Sequence, residues 1–218
     1  MGQDVWSRFV SGGGELMLVS AVGTVIGVAA GTLLGIVAGI ARNLVSRTVG
    51  YLIDFLLVFP ALVLMLLLLA RAGDAPIVII GLIALSSLAA VARVMWSATR
   101  EIASRDFILA TRAYRYGWWR VIVGEVLPNL SSLVLVALPY QFAMATGGVA
   151  TLNFLGYGAS SNAPGWGVMI LQNKDGLGVQ PWGVILPALT IALVCVGVNL
   201  MADGMRRVLA RTSEGGGQ

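Results

Sequence analysis

The sequence contains no histidine, and that absence excludes several kinds of active site. Neither a Ser-His-Asp nor a Cys-His arrangement can be assembled, and the commonest metal ligand is missing. The single cysteine, Cys195, lies in an apolar run, which is typical of a small buried side chain, and it has no second cysteine for an intrachain disulfide. The only lysine, Lys174, does not belong to a GxxxxGK[ST] phosphate loop. We therefore expect no catalytic site in this chain, and neither a cofactor nor a metal bound by it.

Charged residues are scarce as well. They make up 11% of the 218 residues, whereas soluble domains carry about 25%. Hydrophobic residues make up 58% of the chain, and its mean hydropathy is +0.89. This composition predicts an all-α integral membrane protein.

The apolar runs predict about five transmembrane helices in one domain over 15–207, each long enough to cross ~30 Å of hydrocarbon. The predicted spans are 15–40, 49–70, 76–100, 130–152 and 182–205. The remaining segments are predicted to be a lead-in over 1–14, a central loop over 101–129, a second loop over 153–181 and a flexible tail over 208–218. The second loop is rich in turn formers and is predicted to hold a short interfacial helix over 166–172.

The basic residues predict the orientation of these spans. The central loop, the short loop with Arg42 and Arg47, and the C-terminus share one side, which carries eleven of the 14 basic residues. The positive-inside rule places that side in the cytoplasm, so the lead-in and the second loop are extracytoplasmic. The first dozen residues lack a basic start followed by an apolar core and a cleavage site, so we expect that they are not a signal peptide. We therefore expect either that the first span inserts by itself or that a further helix precedes this chain.

Five glycines recur at every fourth position of the first span, which places them on one helix face. They are Gly23, Gly27, Gly31, Gly35 and Gly39. Small residues in such a register favour the close approach of a second helix, although glycine is also common in membrane spans in general. We predict a tightly packed helix pair, and this pattern carries no information about a substrate.

Polar or helix-bending residues occur in two other spans. Pro60 should bend the second span. Asp54, in the same span, is a functional candidate because ionisable groups inside a membrane are costly. Its position near the cytoplasmic end favours an ion pair or a helix-end hydrogen bond over direct transport chemistry. Asn199 and Asp203, late in the last span, are further intramembrane polar candidates.

The central loop carries a surface of its own. If 107–118 is helical, Phe107, Thr111, Tyr114 and Trp118 share one face, with arginines beside it. This pattern suits a groove on another protein, because aromatic and arginine side chains dominate interface energies. It equally suits a helix lying on anionic lipid, and periodicity does not separate the two. Nucleic-acid binding fits less well, because membrane topology already explains the basic residues.

Four stretches resemble the inner-membrane permease subunits of ABC importers, specifically the C-type subunit of the dipeptide, oligopeptide and nickel group. GQDVWSR at 2–8 is similar to that family's GRDVLSR, and IDFLLVFPAL at 53–62 is similar to its DxLLAFPxL. DFILATRAYRYGWWRVIVGEVLPN resembles the family's cytoplasmic EAA loop, which reads roughly EYVEAARALGASDWRIIFRHILPN. NFLGYG with PGWG at 153–167, and VNLMADGMRR at 198–207, resemble its SFLGLG…PSWG and NLLGDGLRD.

The resemblance covers nearly the whole chain and implies a type I ABC importer transmembrane domain without the family's usual first helix. It implies that the central loop is a cytoplasmic coupling helix that docks on an ATPase. The contact residues that it implies are Phe107, Ala110, Thr111, Arg112, Tyr114, Arg115, Trp118, Trp119 and Arg120. Leu109 stands where the family has the EAA glutamate, and Arg115 where it has a glycine, so we expect the local turn to differ.

The partners implied by the resemblance are a homologous second permease, one or two cytoplasmic ABC ATPases holding ATP and Mg, an extracytoplasmic solute-binding protein, and membrane lipid. The implied location is a bacterial or archaeal inner membrane, with the C-terminus in the cytoplasm. The implied function is ATP-driven import of peptides or a similar small solute, without enzymatic activity in this chain. The alternative is a scaffold or truncated permease that docks partners without transporting. An ion-coupled carrier is disfavoured, because Asp54 is the only acidic residue well inside a span.

Overall fold

The structure, a computed structural model, describes residues 5–41, 44–104, 117–158 and 165–215. These residues form helices joined by short connections, and they contain no strand. The first four helices are α1 (Val5–Ile40), α2 (Leu44–Val58), α3 (Ala61–Ala72) and α4 (Pro76–Ala103). Helix α5 joins Trp118–Val121, a π-helical turn at Ile122–Val126, and Leu127–Phe154. The last two helices are α6 (Trp166–Asn173) and α7 (Trp182–Gly215). The all-α fold class is confirmed.

Among the described residues, α1, α4, α5 and α7 are long and apolar enough to cross a membrane. The predicted second span over 49–70 is not one straight helix, because α2 and α3 meet at an angle of 89°. Pro60 lies at this break and lacks a backbone N–H, and in a continuous helix its ring would clash with the carbonyl four residues earlier. The residue before a proline also avoids the helical conformation. The α2–α3 pair is therefore either a broken fifth span or a re-entrant segment.

The core is built around α1 and α4, which pack against each other along most of their length. Two groups of buried side chains flank this pair. The α3-side cluster, contributed by α1, α3, α4 and α5, consists of Leu16, Val19, Met65, Leu69, Ile79, Leu82, Ile83, Ala145, Val149 and Leu152. The loop-base cluster, contributed by α1, α4 and α5, consists of Val28, Ile36, Val91, Met95, Ile102, Val121, Val126 and Leu130. Helix α7 packs mainly on α5 and leaves most of its surface uncovered within this chain.

The predicted lead-in and the predicted tail are both helical where they are described. The lead-in over 1–14 is not a separate segment, because α1 already begins at Val5. Trp166 contacts the first turns of α1, and its indole Nε1 donates a hydrogen bond to the Phe9 carbonyl oxygen over 2.8 Å. In the tail predicted over 208–218, α7 continues to Gly215. Its sequence before the terminal glycines contains good helix formers and no proline, so nothing stops the helix earlier.

Candidate functional site

The two ends of the central loop pack together on the helix core. Ile102, in the last turn of α4, is 7% exposed and belongs to the same apolar cluster as Val121 and Val126 at the start of α5. Ser104 ends α4, where its hydroxyl donates to the Glu101 carbonyl oxygen over 2.7 Å. The described residues at the two ends of the central loop therefore pack at one buried anchor point.

A π-helical turn lies directly after this anchor. In this turn the Leu127 backbone N–H donates to the Ile122 carbonyl oxygen, five residues earlier. Pro128 follows at once and has no N–H to continue the regular α-helical ladder, which explains why the wider turn forms here. The Asn129 side chain then donates to the Glu125 carbonyl oxygen over 2.7 Å. The entrance of α5 is thus shaped by the sequence GEVLPN.

Most of the predicted coupling residues lie outside the described residues. These are Phe107, Ala110, Thr111, Arg112, Tyr114 and Arg115. Trp118 is described only as the first residue of α5, whereas the Trp119 side chain is 76% exposed and Arg120 is also exposed. The predicted role of these residues in docking an ATPase stays a prediction. What the structure adds is the position of Trp119 and Arg120 on the exposed side of the loop anchor.

The five glycines of the predicted close-packed face all lie against α4. They are Gly23, Gly27, Gly31, Gly35 and Gly39. A Cβ built on Gly31 would lie 2.8 Å from the Leu88 carbonyl oxygen. A Cβ built on Gly35 would lie 2.8 Å from the Ala92 carbonyl oxygen. Both distances are shorter than real Cβ contacts, so α1 and α4 approach backbone to backbone through the glycine face.

Asp54 is paired rather than isolated. Its Oδ1 atom lies 2.9 Å from Nη1 of Arg93 on α4, and each of the two side chains is 48% exposed. The Arg93 guanidinium also lies 5.2 Å from the ring centroid of Trp96. The Trp96 ring in turn packs against Gly50 on α2. An ion pair and an aromatic contact thus tie α2 to α4.

The remaining polar candidates have local roles. The Asn199 side chain donates to the Cys195 carbonyl oxygen one turn earlier, over 2.9 Å, and Asp203 is exposed on the same helix. The structure does not bring either residue together with Asp54 through any contact that it describes. In the described part of the chain, no group of three or more His, Cys, Asp or Glu side chains is arranged to hold a metal ion.

The predicted interfacial helix is present as α6, but its first residue does not lie at the surface. Trp166 is 8% exposed, and its ring stacks on Phe9 with centroids 5.7 Å apart. Its ring also packs on Gly13 of α1. The second loop is therefore fastened to the start of α1. Local sequence patterns do not predict this contact, because Phe9 and Gly13 lie more than 150 residues before Trp166.

Sequence reasoning also missed the residues that join α4 to its other neighbours. Gln141 on α5 is 7% exposed and donates to the Ser87 carbonyl oxygen on α4 over 3.3 Å. Arg93 belongs to no recognisable motif, although an arginine within a predicted span is itself a reason to look for an acidic partner. Trp96 and Gly50 carried no recognisable pattern.

Comparison with known proteins places these features in a family. The family described as "Binding-protein-dependent transport system inner membrane component" matches residues 31–213. The di/tripeptide transport system permease protein DppC of Pseudomonas aeruginosa is 34% identical over 209 residues, which cover 96% of this chain and 69% of that protein. The glutathione transport system permease protein GsiD of Shigella flexneri is 32% identical over 209 residues, with 96% and 69% covered.

A solved structure has the same fold. It is the MetNI methionine ABC transporter in inward-facing conformations, with a TM-score of 0.78 over 95% of this chain and 99% of that chain. The sequence identity is 16%, so this similarity concerns the fold alone.

Proposed function

Because this chain belongs to the family of binding-protein-dependent transport system inner membrane components, we propose that it is the permease subunit that forms half of the translocation path of an ATP-driven importer of peptides or similar small solutes. Its relatives include a di/tripeptide and a glutathione transport permease, and both cargoes are small, peptide-bonded and zwitterionic. The predicted importer function agrees with this family, and the scaffold alternative is not favoured.

The observation that carries the mechanism is the buried anchor of the central loop. Ile102, Val121 and Val126 fix both loop ends to the loop-base cluster, which is built on the α1–α4 pair. A force applied to the loop would therefore reach the two most tightly packed helices directly. The glycine contacts between α1 and α4 leave little room for the helices to slide, so the pair would move as one body. Such a rigid unit suits the rocking motion of alternating access.

The proposed partners follow from this arrangement. A cytoplasmic ATPase would receive the central loop, and the ATPase rather than this chain would bind and hydrolyse ATP with Mg. A second, homologous permease would complete the path, and an extracytoplasmic binding protein would deliver the solute to the side that carries α6. The C-terminus and the central loop would lie in the cytoplasm, on the side with the larger number of basic residues.

The test is a purification in mild detergent of the tagged chain from its own host, followed by uptake measurements. We expect a second permease and one or two ATPases to copurify in near-equal amounts. Vesicles from the host should show ATP-dependent uptake of a labelled dipeptide when supplied with the binding protein, and deletion of this chain should abolish it. Recovery of the chain alone, or uptake that survives the deletion, would overturn the proposal.

A further inference from the structure

An apolar cleft lies where the bent α2–α3 pair meets α4. Its volume is about 280 Å³, within reach of the few hundred Å³ typical of small-ligand sites. The cleft exists because the chain turns by 89° at Pro60 instead of continuing along α4. The lining residues include Leu57, Phe59 and Pro60 from the bend, and Ser86 and Ala89 from α4. In secondary transporters, discontinuous helices commonly build the solute site.

One face of α4 continues from this cleft to the Asp54–Arg93 ion pair. Leu82, Ser86, Ala89 and Arg93 are spaced at i, i+4, i+7 and i+11, so they lie along one stripe of the helix. The first three line the cleft, and Arg93 is the next residue of the stripe. On α2, Leu57 lines the cleft one turn beyond Asp54 in the same way.

The Asp54–Arg93 ion pair is half-exposed rather than buried. The Asp54 and Arg93 side chains are each 48% exposed, although they lie 2.9 Å apart. A carboxylate accepts several hydrogen bonds and a guanidinium donates five, so a single contact leaves capacity on both groups. Arg93 lies seventeen residues after Pro76, which is about 25 Å along α4 and still within a ~30 Å hydrocarbon layer. The pair therefore lies near the cytoplasmic edge of that layer, where its half-exposed charges are within reach of water.

We propose that this cleft and the Asp54–Arg93 pair form a solute-contact site in the translocation path, which takes a zwitterionic, peptide-like molecule with an apolar side chain. The apolar side chain would lie in the cleft, the carboxylate of the solute would bind Arg93, and its ammonium group would bind Asp54. Charge complementarity supports this occupant, because a pair of opposite charges beside an apolar surface matches the free ends and side chain of a short peptide. The proposal rests on the proposed function, because it assigns the contact site to that same transport path.

The test uses thiol labelling in the assembled transporter. Cys195 is replaced by Ala, so that a single new cysteine can be placed in the cleft as Leu57→Cys or outside it as Leu193→Cys. Both side chains are exposed in this chain, at 45% and 68%, and Leu193 lies on α7, away from the cleft. A charged methanethiosulfonate is added to open membrane vesicles, with or without alanyl-leucine. The same peptide with an acetylated amine and an amidated carboxylate is the matched ligand control.

We expect the Leu57→Cys thiol to react about tenfold faster than the Leu193→Cys thiol, since a charged reagent reaches a thiolate only through water and the proposed solute path contains water. Alanyl-leucine should slow the labelling of Leu57→Cys, and the blocked peptide should not. Adding Asp54→Asn and Arg93→Gln should remove this protection, which is measured for each variant as the ratio of its own labelling rates with and without peptide.

Labelling of Leu57→Cys that is as slow as that of Leu193→Cys would show that the cleft faces lipid or the partner permease, and would overturn the site. Fast labelling without protection by alanyl-leucine would overturn it as well. ATP-dependent uptake of the same peptide, measured in the same vesicles, distinguishes a failure of the contact site from a failure of the proposed function. Uptake of alanyl-leucine without protection of the thiol would overturn only the proposed contact site. If the unmodified transporter takes up no dipeptide at all, both the proposed function and the contact site are overturned.

Discussion

The ring of Trp96 on α4 fills the space at Gly50 of α2 in which any larger residue would place its Cβ. This contact brings the two helix backbones close at the same point where Arg93 stacks on Trp96 and pairs with Asp54. The position of α2, and with it the direction in which the chain enters the bend at Pro60, therefore depends on one aromatic side chain and one glycine.

Replacing Gly50 by valine should displace the Trp96 ring and separate α2 from α4. We expect a loss of about 1–3 kcal/mol of stability, the usual range for overpacking a close contact. Thermal unfolding in detergent measures the change, and Gly81→Val is the matched control, because a Cβ at Gly81 of α4 meets no atom within 4 Å. Equal melting temperatures for the two variants would contradict the prediction.

A leucine at Gly31 should damage the α1–α4 pair more severely. The nearest atom to a new Cβ at this position is the Leu88 carbonyl oxygen at 2.8 Å, and backbone cannot move aside as a side chain can. We expect a stability loss at or above about 3 kcal/mol and a fall in the yield of the assembled complex. Gly197→Leu is the control, because its Cβ meets open space within this chain. A normal yield for Gly31→Leu would show that the two helices separate easily.

The glycine face and the bend at Pro60 were within reach of sequence reasoning, because both follow from local stereochemistry. Glycines at every fourth position lie on one helix face, and a proline within a span disturbs the helix whatever packs around it. The partner of the glycine face was not predictable, since it depends on which helix packs there. The size of the bend and the Asp54–Arg93 pairing depend on the same tertiary contacts, and the helical start of α1 depends on Trp166, which lies far along the chain.

That contact gives a prediction for the start of α1. Trp166→Phe keeps most of the aromatic surface that stacks on Phe9 but removes the indole donor to the Phe9 carbonyl oxygen. We expect the local stability of the first turns of α1 to fall by about 1 kcal/mol. Faster amide hydrogen exchange over these turns measures the loss. Trp182→Phe is the control, because this tryptophan is 57% exposed. Unchanged exchange over 5–14 would show that the hydrogen bond does not hold these turns.

The coupling role of the central loop is tested by alanine at Phe107, Tyr114 and Trp118 together. If these residues anchor the loop in an ATPase groove, their removal should weaken the affinity of the permease for the ATPase more than tenfold. Buried aromatic anchors contribute about 2 kcal/mol or more at interfaces. ATP hydrolysis by the assembled transporter should then continue while uptake falls. Insertion should be unaffected, because the loop ends are held by Ile102 and Val121 in the apolar core.

The matched control is Trp182→Ala, which removes an exposed aromatic side chain far along the chain from the loop. ATP hydrolysis and dipeptide uptake are measured in the same proteoliposomes, so that the ratio of the two reports coupling independently of the amount of protein. A fall in uptake with an unchanged ratio would indicate a loss of assembly. Unchanged uptake in the triple variant would show that the aromatic face does not dock on the ATPase. It would favour a helix lying on lipid, because weaker lipid binding would leave the coupling between the ATPase and the permease intact.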